Sequence, residues 1–321
     1  MRPPKCRICG NTEKNRLFVI REMMFGTGES FDYFQCARCN CLQLNEIPAD
    51  LSTYYESEYY SLANDPSKEN KIARFVHNLR ADQSLKRTRL GRYLLNVFPN
   101  YALDAMSRIE LHKSTRILDV GCGNGSLIYC LKEIGFKNVM GIDPFIKADT
   151  IYDNGTQLKK TTLEDTTGSW DIVMLYDSFE HMPNPVEAMR SMSSLLSHDG
   201  VIIMTIPTVS SHAWETYGTH WVQLDAPRHL FLHSLESLRF LARHGGFMIE
   251  KMIYNSTDFQ FWGSEQCQRS IPLFSETSYA TNPSKSIFRK TQIKEFKKEA
   301  LRLNRENRGD QLAVYLRKNG N

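Results

Sequence analysis

The stretch that most constrains this chain is Arg116-Ile117-Leu118-Asp119-Val120, which empties into Gly121, Gly123 and Gly125. A short apolar run with polar flanks fits a strand buried on both faces of a parallel sheet. Glycines at alternate positions let the backbone approach a ligand that any Cβ would push away. A second apolar run, Val139-Met140-Gly141-Ile142, ends in Asp143, whose carboxylate can accept both hydroxyls of a ribose. The spacing predicts a nucleoside-binding α/β fold with its ligand lying across the glycine turn.

Dinucleotides are met by G-x-G-x-x-G, whereas this chain has G-x-G-x-G with Asp119 inside the strand end, a spacing that favours S-adenosylmethionine. Asp119-Val120-Gly121-Cys122-Gly123-Asn124-Gly125 resembles the first motif of class I S-adenosylmethionine-dependent methyltransferases, and Gly141-Ile142-Asp143-Pro144 their ribose-binding second motif. The resemblance implies that the glycine turn passes under the methionine end of the cofactor, with Asp143 and Pro144 at its ribose. Residues 161–165 resemble the stretch that contacts adenine in this family, which assigns that contact to Leu163 and Asp165. Residues 170–181, from Trp170 through Tyr176 to Glu180-His181, are similar to the fourth motif and its loop at the carboxyl end of a strand. Tyr176-Asp177-Ser178-Phe179 departs from the Asn/Asp-Pro-Pro-aromatic motif of enzymes that methylate base amino groups, which argues against that branch.

Cys6-Arg7-Ile8-Cys9 and Cys36-Ala37-Arg38-Cys39 are two C-x-x-C pairs separated by 26 residues. Each pair can turn two thiolates to one side, and four sulfurs close a tetrahedral structural zinc site. Without that staple the segment has little core of its own. Cys41 breaks the spacing and is expected to be a bystander. Tyr54, Tyr55, Tyr59 and Tyr60 then crowd a junction where packing between units is the expected role, with substrate contact as the alternative.

From Lys68 to Met106 the pattern is helical, with Ile72, Phe75, Val76 and Leu79 on one stripe and Leu90, Leu94, Leu95 and Phe98 on another. Lys86, Arg87, Arg89 and Arg92 fall largely on the polar face, either as a solvated face or as an anion site. A helix after the glycine turn, stopped by Gly135, and a helix over 186–196 alternate with strands, so the pairs must be parallel. Asp199-Gly200 reads as the turn before a strand over 201–207.

Residues 208–233 break the alternation with His212, Trp214, Tyr217, His220, Trp221, Asp225, Arg228, His229 and His233. A long loop at the ligand-bearing edge of the sheet is usually functional, and histidines suit proton removal from a methyl acceptor. Tyr217, Trp221, Asp225 and Arg228 are therefore expected to bind substrate, and His229, His181 and His220 are the candidate bases in that order. Asp225-Ala226-Pro227-Arg228-His229-Leu230-Phe231 with Ser234-Leu235-Glu236 resembles a segment of zinc-bearing methyltransferases that act on nucleotide-linked deoxysugars. There the histidine serves as base or acceptor contact and is commonly preceded by Glu, where this chain has Arg228, whose fork suits either a phosphate or a structural pair with Asp225.

A strand over 247–254 and a last strand over 311–317 fit the terminal antiparallel hairpin of class I methyltransferases, with residues 256–308 inserted as a cap. Residues 285–321 hold eleven Lys/Arg against four Asp/Glu, a basic tail that reads as the solvated face of an amphipathic helix or as a nucleic-acid contact. Hydrophobic residues at 41%, charged residues at 24% and a net charge of +4 indicate no global polyelectrolyte partner. No apolar run approaches the roughly 20 residues of a membrane span, and the start lacks a signal-peptide core. A cytoplasmic protein with no membrane partner is expected, its eight cysteines serving as thiols and metal ligands.

The expected architecture is a zinc module over 1–48, a helical connector over 49–112 and a seven-stranded methyltransferase domain over 113–321. The expected activity is methyl transfer from S-adenosylmethionine to a small polar acceptor, a nucleotide-linked sugar or glycan intermediate. The alternatives are an RNA methyltransferase, a non-catalytic cofactor-binding module and a nicotinamide dehydrogenase.

Overall fold

A computed structural model describes residues 4–54 and 65–320, so the expectations for the first three residues and for Tyr55, Tyr59 and Tyr60 lie outside the described residues. Three short strands come first: β1 (Arg16–Arg21), β2 (Ser30–Gln35) and β3 (Leu42–Leu44). Helices α1 (Lys71–Leu85), α2 (Arg89–Val97) and α3 (Tyr101–Met106) follow. Then come β4 (Arg116–Val120), α4 (Ser126–Glu133), four successive strands β5 (Asn138–Ile142), β6 (Thr150–Ile151), β7 (Gln157–Lys159) and β8 (Trp170–Tyr176), and α5 (Pro185–Leu195) leading into β9 (Leu196–Pro207). The loop expected to carry the acceptor pocket contains α6 (His212–Tyr217) and β10 (Phe231–Leu232). The chain ends with α7 (Leu235–His244), β11 (Phe247–Tyr254), α8 (Phe259–Gln268), α9 (Lys290–Arg305) and β12 (Gln311–Lys318).

The main sheet runs β11-β12-β9-β8-β4-β5-β7-β6, with the five strands from β9 to β7 parallel and β12 antiparallel to both its neighbours. This is the class I methyltransferase fold. The two-residue β6, antiparallel to β7, is an edge addition to the seven expected strands. Side chains alternate between two apolar layers. Leu118, Val173, Leu175, Ile202, Met204 and Val314 join Met189, Met192 and Leu241 of α5 and α7. Ile117, Ile172, Met174, Ile203 and Tyr315 join Ala105, Met106, Ile128 and Leu131 of α3 and α4. Helices thus cover both faces, which is why β4 and β8 read as near-continuous apolar runs.

Asp199-Gly200 does not break the chain between α5 and a strand. Trp170 faces Leu196 and Ile172 faces Val201, so the pair falls within an irregularity of register inside β9. The basic C-terminal segment forms α9, which buries Ile293, Ala300 and Leu303 and pairs Lys298 with Glu295 and Arg302 with Glu299 and Glu306.

The N-terminal strands are bound into the whole. Strand β10 adds antiparallel to β3, giving a second sheet of order β1-β2-β3-β10. Cys6, Ile20, Phe34 and Leu42 share a core layer with Phe179, Leu230 and Phe231, and the Tyr33 hydroxyl donates to the His229 carbonyl at 2.8 Å. The strongest tie is ionic. Arg228, expected to contact substrate, is instead wholly buried, its guanidinium donating to Asp225 at 2.6 Å and to Glu22 at 2.8 Å. Glu22 also accepts the backbone N–H groups of Met24, Phe25, Gly26 and Thr27. Burial pushes the Glu22 pKa up, but the hydrogen bond from Arg228 and the amides outweigh it and hold the group below its ordinary value.

Removing one partner of a buried ionic cluster costs about 3–5 kcal/mol, because the remaining charge has no counterpart. Arg228→Met is expected to lose an amount of that order in urea unfolding. The pH dependence has a defined sign: with its folded pKa depressed, Glu22 contributes stability above its ordinary value near 4.5, lost as pH falls through the folded value. Unfolding of Glu22→Gln should lack that component of the acid dependence; an unchanged acid limb would contradict the role given to Glu22.

Candidate active site

Strand β4 ends at Val120, and Gly121 turns the chain at a φ of +76°. A Cβ on Gly121 would lie 2.5 Å from Ser178 Cβ, and the Ser178 hydroxyl donates to the Val120 carbonyl at 2.7 Å, so the glycine turn is locked to the loop after β8. Asp143, at the end of β5, accepts from the Gly123 N–H at 2.9 Å through one oxygen and from the Phe145 N–H at 2.8 Å through the other. The carboxylate thereby braces the loop, and its remaining lone pairs face the cavity. Asp119 is buried beside it, and burial together with the Asp143 charge lifts its pKa to about 7.

These residues wall a cavity of about 1290 Å³, ample for an adenosyl cofactor. Of the residues expected there, the walls include Asp119, Gly121, Gly123, Asp143, Pro144, Leu163 and Tyr176. Two are not among them. Gly125 sits at a φ of +74° as the residue that starts α4. Asp165 accepts from the Thr162 hydroxyl at 2.8 Å and is exposed, so the wall ends at Glu164. Phe145, half-exposed next to Pro144, lines the wall and went unnoticed in the sequence, where no spacing marks it.

A second cavity, of about 290 Å³, shares Tyr176, Asp177 and His181 with the first. Beyond the end of β8, three distant parts of the chain contribute to its walls. Ile20, Met23 and Met24 belong to the N-terminal module. Trp221, Asp225 and His229 belong to the long loop. Asn255, Phe259 and Gln260 belong to the segment between β11 and β12. Three residues expected at the acceptor or as bases are placed elsewhere. Tyr217 packs with Phe261 and Phe296 of the α8–α9 pair, His220 is exposed and outside both cavities, and Arg228 serves the ionic cluster. Trp221 does line the cavity, with its indole N–H fixed to Asp310 at 3.0 Å.

His181 and His229 stand ring to ring, with centroids 4.8 Å apart. The Nδ1 of His181 contacts the Arg228 carbonyl at 2.8 Å, and that of His229 the Gln223 carbonyl at 2.7 Å. Carbonyls only accept, so each Nδ1 carries the proton and each neutral ring keeps a lone pair on Nε2. Burial lowers both pKa values, that of His181 to about 3 with help from His229. Glu180 lies against them, its Oε1 3.9 Å from His229 Nε2. It is fully buried, neither carboxyl oxygen has a hydrogen-bond partner among the described residues, and burial with the Asp177 charge raises its pKa well above the ordinary range. Gln260 Oε1 and both amide atoms of Asn255 are likewise buried without partners. Glu180, His181 and His229 bring three donor atoms within 4.8 Å of one another, a set that can share a proton or take a divalent cation.

The sulfurs of Cys6, Cys9, Cys36 and Cys39 also lie within 4.8 Å of one another, with Cys6–Cys39 at 3.6 Å and Cys9–Cys36 at 3.5 Å. Zinc–sulfur bonds of about 2.3 Å in a tetrahedron need sulfurs roughly 3.8 Å apart, so the four thiols fit that ion. Cys41 turns its sulfur to the Leu232 carbonyl and stands outside the group.

A family model described as "Methyltransferase domain" matches residues 71–251. Among curated proteins, the mitochondrial ubiquinone biosynthesis O-methyltransferase of Saccharomyces cerevisiae is 30% identical over 139 residues, covering 37% of this chain and 45% of that protein. The Haemophilus ducreyi ubiquinone biosynthesis O-methyltransferase is 31% identical over 105 residues, covering 28% and 44%. The chain thus spans less than half the length of these relatives. Among solved structures, an S-adenosylmethionine-dependent methyltransferase from Archaeoglobus fulgidus aligns with a TM-score of 0.39 at 18% identity, over 64% of this chain and 86% of its own. The cyclopropane synthase MmaA2 from Mycobacterium tuberculosis aligns with a TM-score of 0.40 at 15% identity, over 66% and 80%.

A side chain at position 121 meets both the Ser178 contact and left-handed strain of about 1–2 kcal/mol. Gly121→Val is expected to weaken S-adenosylhomocysteine binding at least tenfold by calorimetry while far-UV circular dichroism is kept. Unchanged affinity would place the cofactor elsewhere.

Proposed function

The chain belongs to the methyltransferase-domain family, and from that premise we propose that it is an S-adenosylmethionine-dependent methyltransferase and that it methylates a hydroxyl of a nucleotide-linked sugar or a related glycan intermediate. The observation that carries this reading is the set of unpartnered polar groups around the smaller cavity: the Glu180 carboxyl, the Asn255 amide and Gln260 Oε1. A buried polar group without a partner costs about 1–3 kcal/mol. Three of them around one cavity are explained by a ligand rich in hydroxyls. A cavity of about 290 Å³ suits one sugar ring, leaving any nucleotide portion outside it. The RNA reading rests on the basic segment, where Lys298 and Arg302 pair within α9, and it gives no part to the orphaned polar groups of the smaller cavity.

Bound S-adenosylmethionine would supply an electrophilic methyl to the acceptor oxygen and leave as its thioether, with Asp143 and the glycine turn holding it, and the hydroxyl proton would pass to His229 Nε2. The Gln223 carbonyl holds the His229 ring in the tautomer this needs, and the Asp225 carboxylate, 3.9 Å from His229 Nε2, is placed to stabilise the imidazolium that forms. Asp225 and Tyr33 orient the same loop. On this reading the 1–48 module and the 256–308 cap are two walls of the acceptor site on a core over 113–321, and zinc bound by Cys6, Cys9, Cys36 and Cys39 fixes the first wall. A cytoplasmic site of action belongs to the same reading, which eight unbridged cysteines support.

Screening methyl transfer over nucleotide-linked sugars should identify an acceptor, and His229→Ala should lower its turnover by about 10²–10⁴-fold with S-adenosylmethionine affinity within twofold of the parent. Turnover that survives His229→Ala would exclude it as the base. Metal analysis is expected to find one zinc per chain. Cys36→Ser should lose the zinc and most acceptor turnover but keep cofactor binding, whereas a metal-free parent would overturn the zinc assignment.

A further inference from the structure

Of the two apolar stripes of the helical connector, Ile72, Phe75, Val76, Leu79, Leu90 and Phe98 are exposed while Leu94 and Leu95 are half-buried. On α1, Ile72 is 76% exposed and Phe75 67%, with Val76 and Leu79 beside them at helical spacing. On α2, Tyr93 is 63% exposed, with Leu90 and Val97 on the same stripe and Phe98, 55% exposed, at its end. The two helices form one hairpin: a Cβ on Gly91 would lie 2.1 Å from the Gln83 carbonyl oxygen, so their backbones touch there. Together these side chains expose on the order of 900 Å² of surface, more than the roughly 300–600 Å² of the largest patch on a typical soluble monomer.

Charge decides what such a surface can meet. Residues 71–98 hold seven Lys/Arg and one acidic residue, Asp82, which already pairs with Lys86. Lys71, Lys86, Arg89 and Arg92 are exposed around the stripes. Two copies facing each other through this hairpin would bring like charges together. RNA would use the bases but gain nothing from aliphatic Ile72, Val76, Leu90 and Val97. An anionic lipid surface uses both, with apolar side chains entering the headgroup boundary and the bases meeting phosphate. We infer that the α1–α2 hairpin is a docking surface for an anionic membrane. The absence of a membrane-spanning helix among the described residues is compatible with this, since a hairpin lying on the surface needs no span. Arg74, His77 and Asn78 of α1 wall the cofactor cavity, so the docked face adjoins the site. The inference is independent of the acceptor's identity.

Sedimentation of the full chain with vesicles tests it. Binding is expected to vesicles of phosphatidylcholine with about a third phosphatidylglycerol, and to be weaker by at least tenfold on phosphatidylcholine alone. Each base near such a surface contributes about fivefold, so R89E/R92E should lower binding at least tenfold, as should I72S/F75S. Both variants should keep parental S-adenosylhomocysteine affinity, which shows that they fold. Failure of the parent to sediment, or variants that sediment as it does, would overturn the inference. A dimer that I72S/F75S converts to monomers, without lipid binding, would overturn it in favour of self-association. Salt-sensitive RNA binding lost in R89E/R92E but kept in I72S/F75S, again without lipid binding, would overturn it in favour of RNA.

Discussion

Arg228 is a charge taken out of water, and the acceptor side of the molecule rests on how that charge is compensated. Its two carboxylate partners come from different places: Asp225 from its own loop and Glu22 from the turn after β1. Desolvating three ionic groups is expensive, and only good geometry with further hydrogen bonds offsets it; the four backbone N–H groups on Glu22 supply them. The result is a fixed distance between the N-terminal module and the loop that carries His229. The ionic cluster acts together with the backbone N–H groups of Leu273 and Phe274, which donate to the carbonyls of Met23 and Met24 and tie the same turn to the cap.

The same logic explains why the two cavities share a boundary. The end of β8 is where parallel strands deliver their carboxyl ends, and residues 176–181 pass from one cavity to the other within six positions. Tyr176 and Asp177 belong to both, Ser178 locks the glycine turn, and Glu180 and His181 enter the acceptor side. On the proposed reading, a methyl group carried on the cofactor side would have a short path to an acceptor on the other. The orphaned Glu180 carboxyl stores an unmet hydrogen-bonding demand at that junction, which a bound acceptor would satisfy.

The sheet, its parallel order and the cofactor loop were legible because local patterns determine them: an apolar strand, a turn only glycine can make, and an acidic residue at the next strand end. The cysteine pairs were legible for the same reason, since two short turns are enough to present four sulfurs. Arg228 stayed between a substrate role and a pair with Asp225 because the chemistry that suits a guanidinium to phosphate suits it equally to carboxylates, and the deciding partner, Glu22, is 206 residues away. Tyr217 and His220 were misread because an aromatic, titratable loop does not reveal which side chains face inward. Asn255 and Gln260 carried no signal at all, for nothing in a cap segment marks an amide that will be buried without a partner. The stripes on α1 and α2 had the right period, but period does not say whether the apolar face meets a core or something outside the molecule.

The account's central claim is that the reactive centre of the cofactor sits at the boundary between the two cavities. A crystal structure of the full chain with S-adenosylhomocysteine tests it most directly. The account predicts adenosine beside Asp143 and Leu163, with the thioether sulfur at Tyr176 and Asp177, pointing towards His181 and His229. A sulfur turned away from that boundary, or one sealed off from the smaller cavity by ordered side chains, would contradict it.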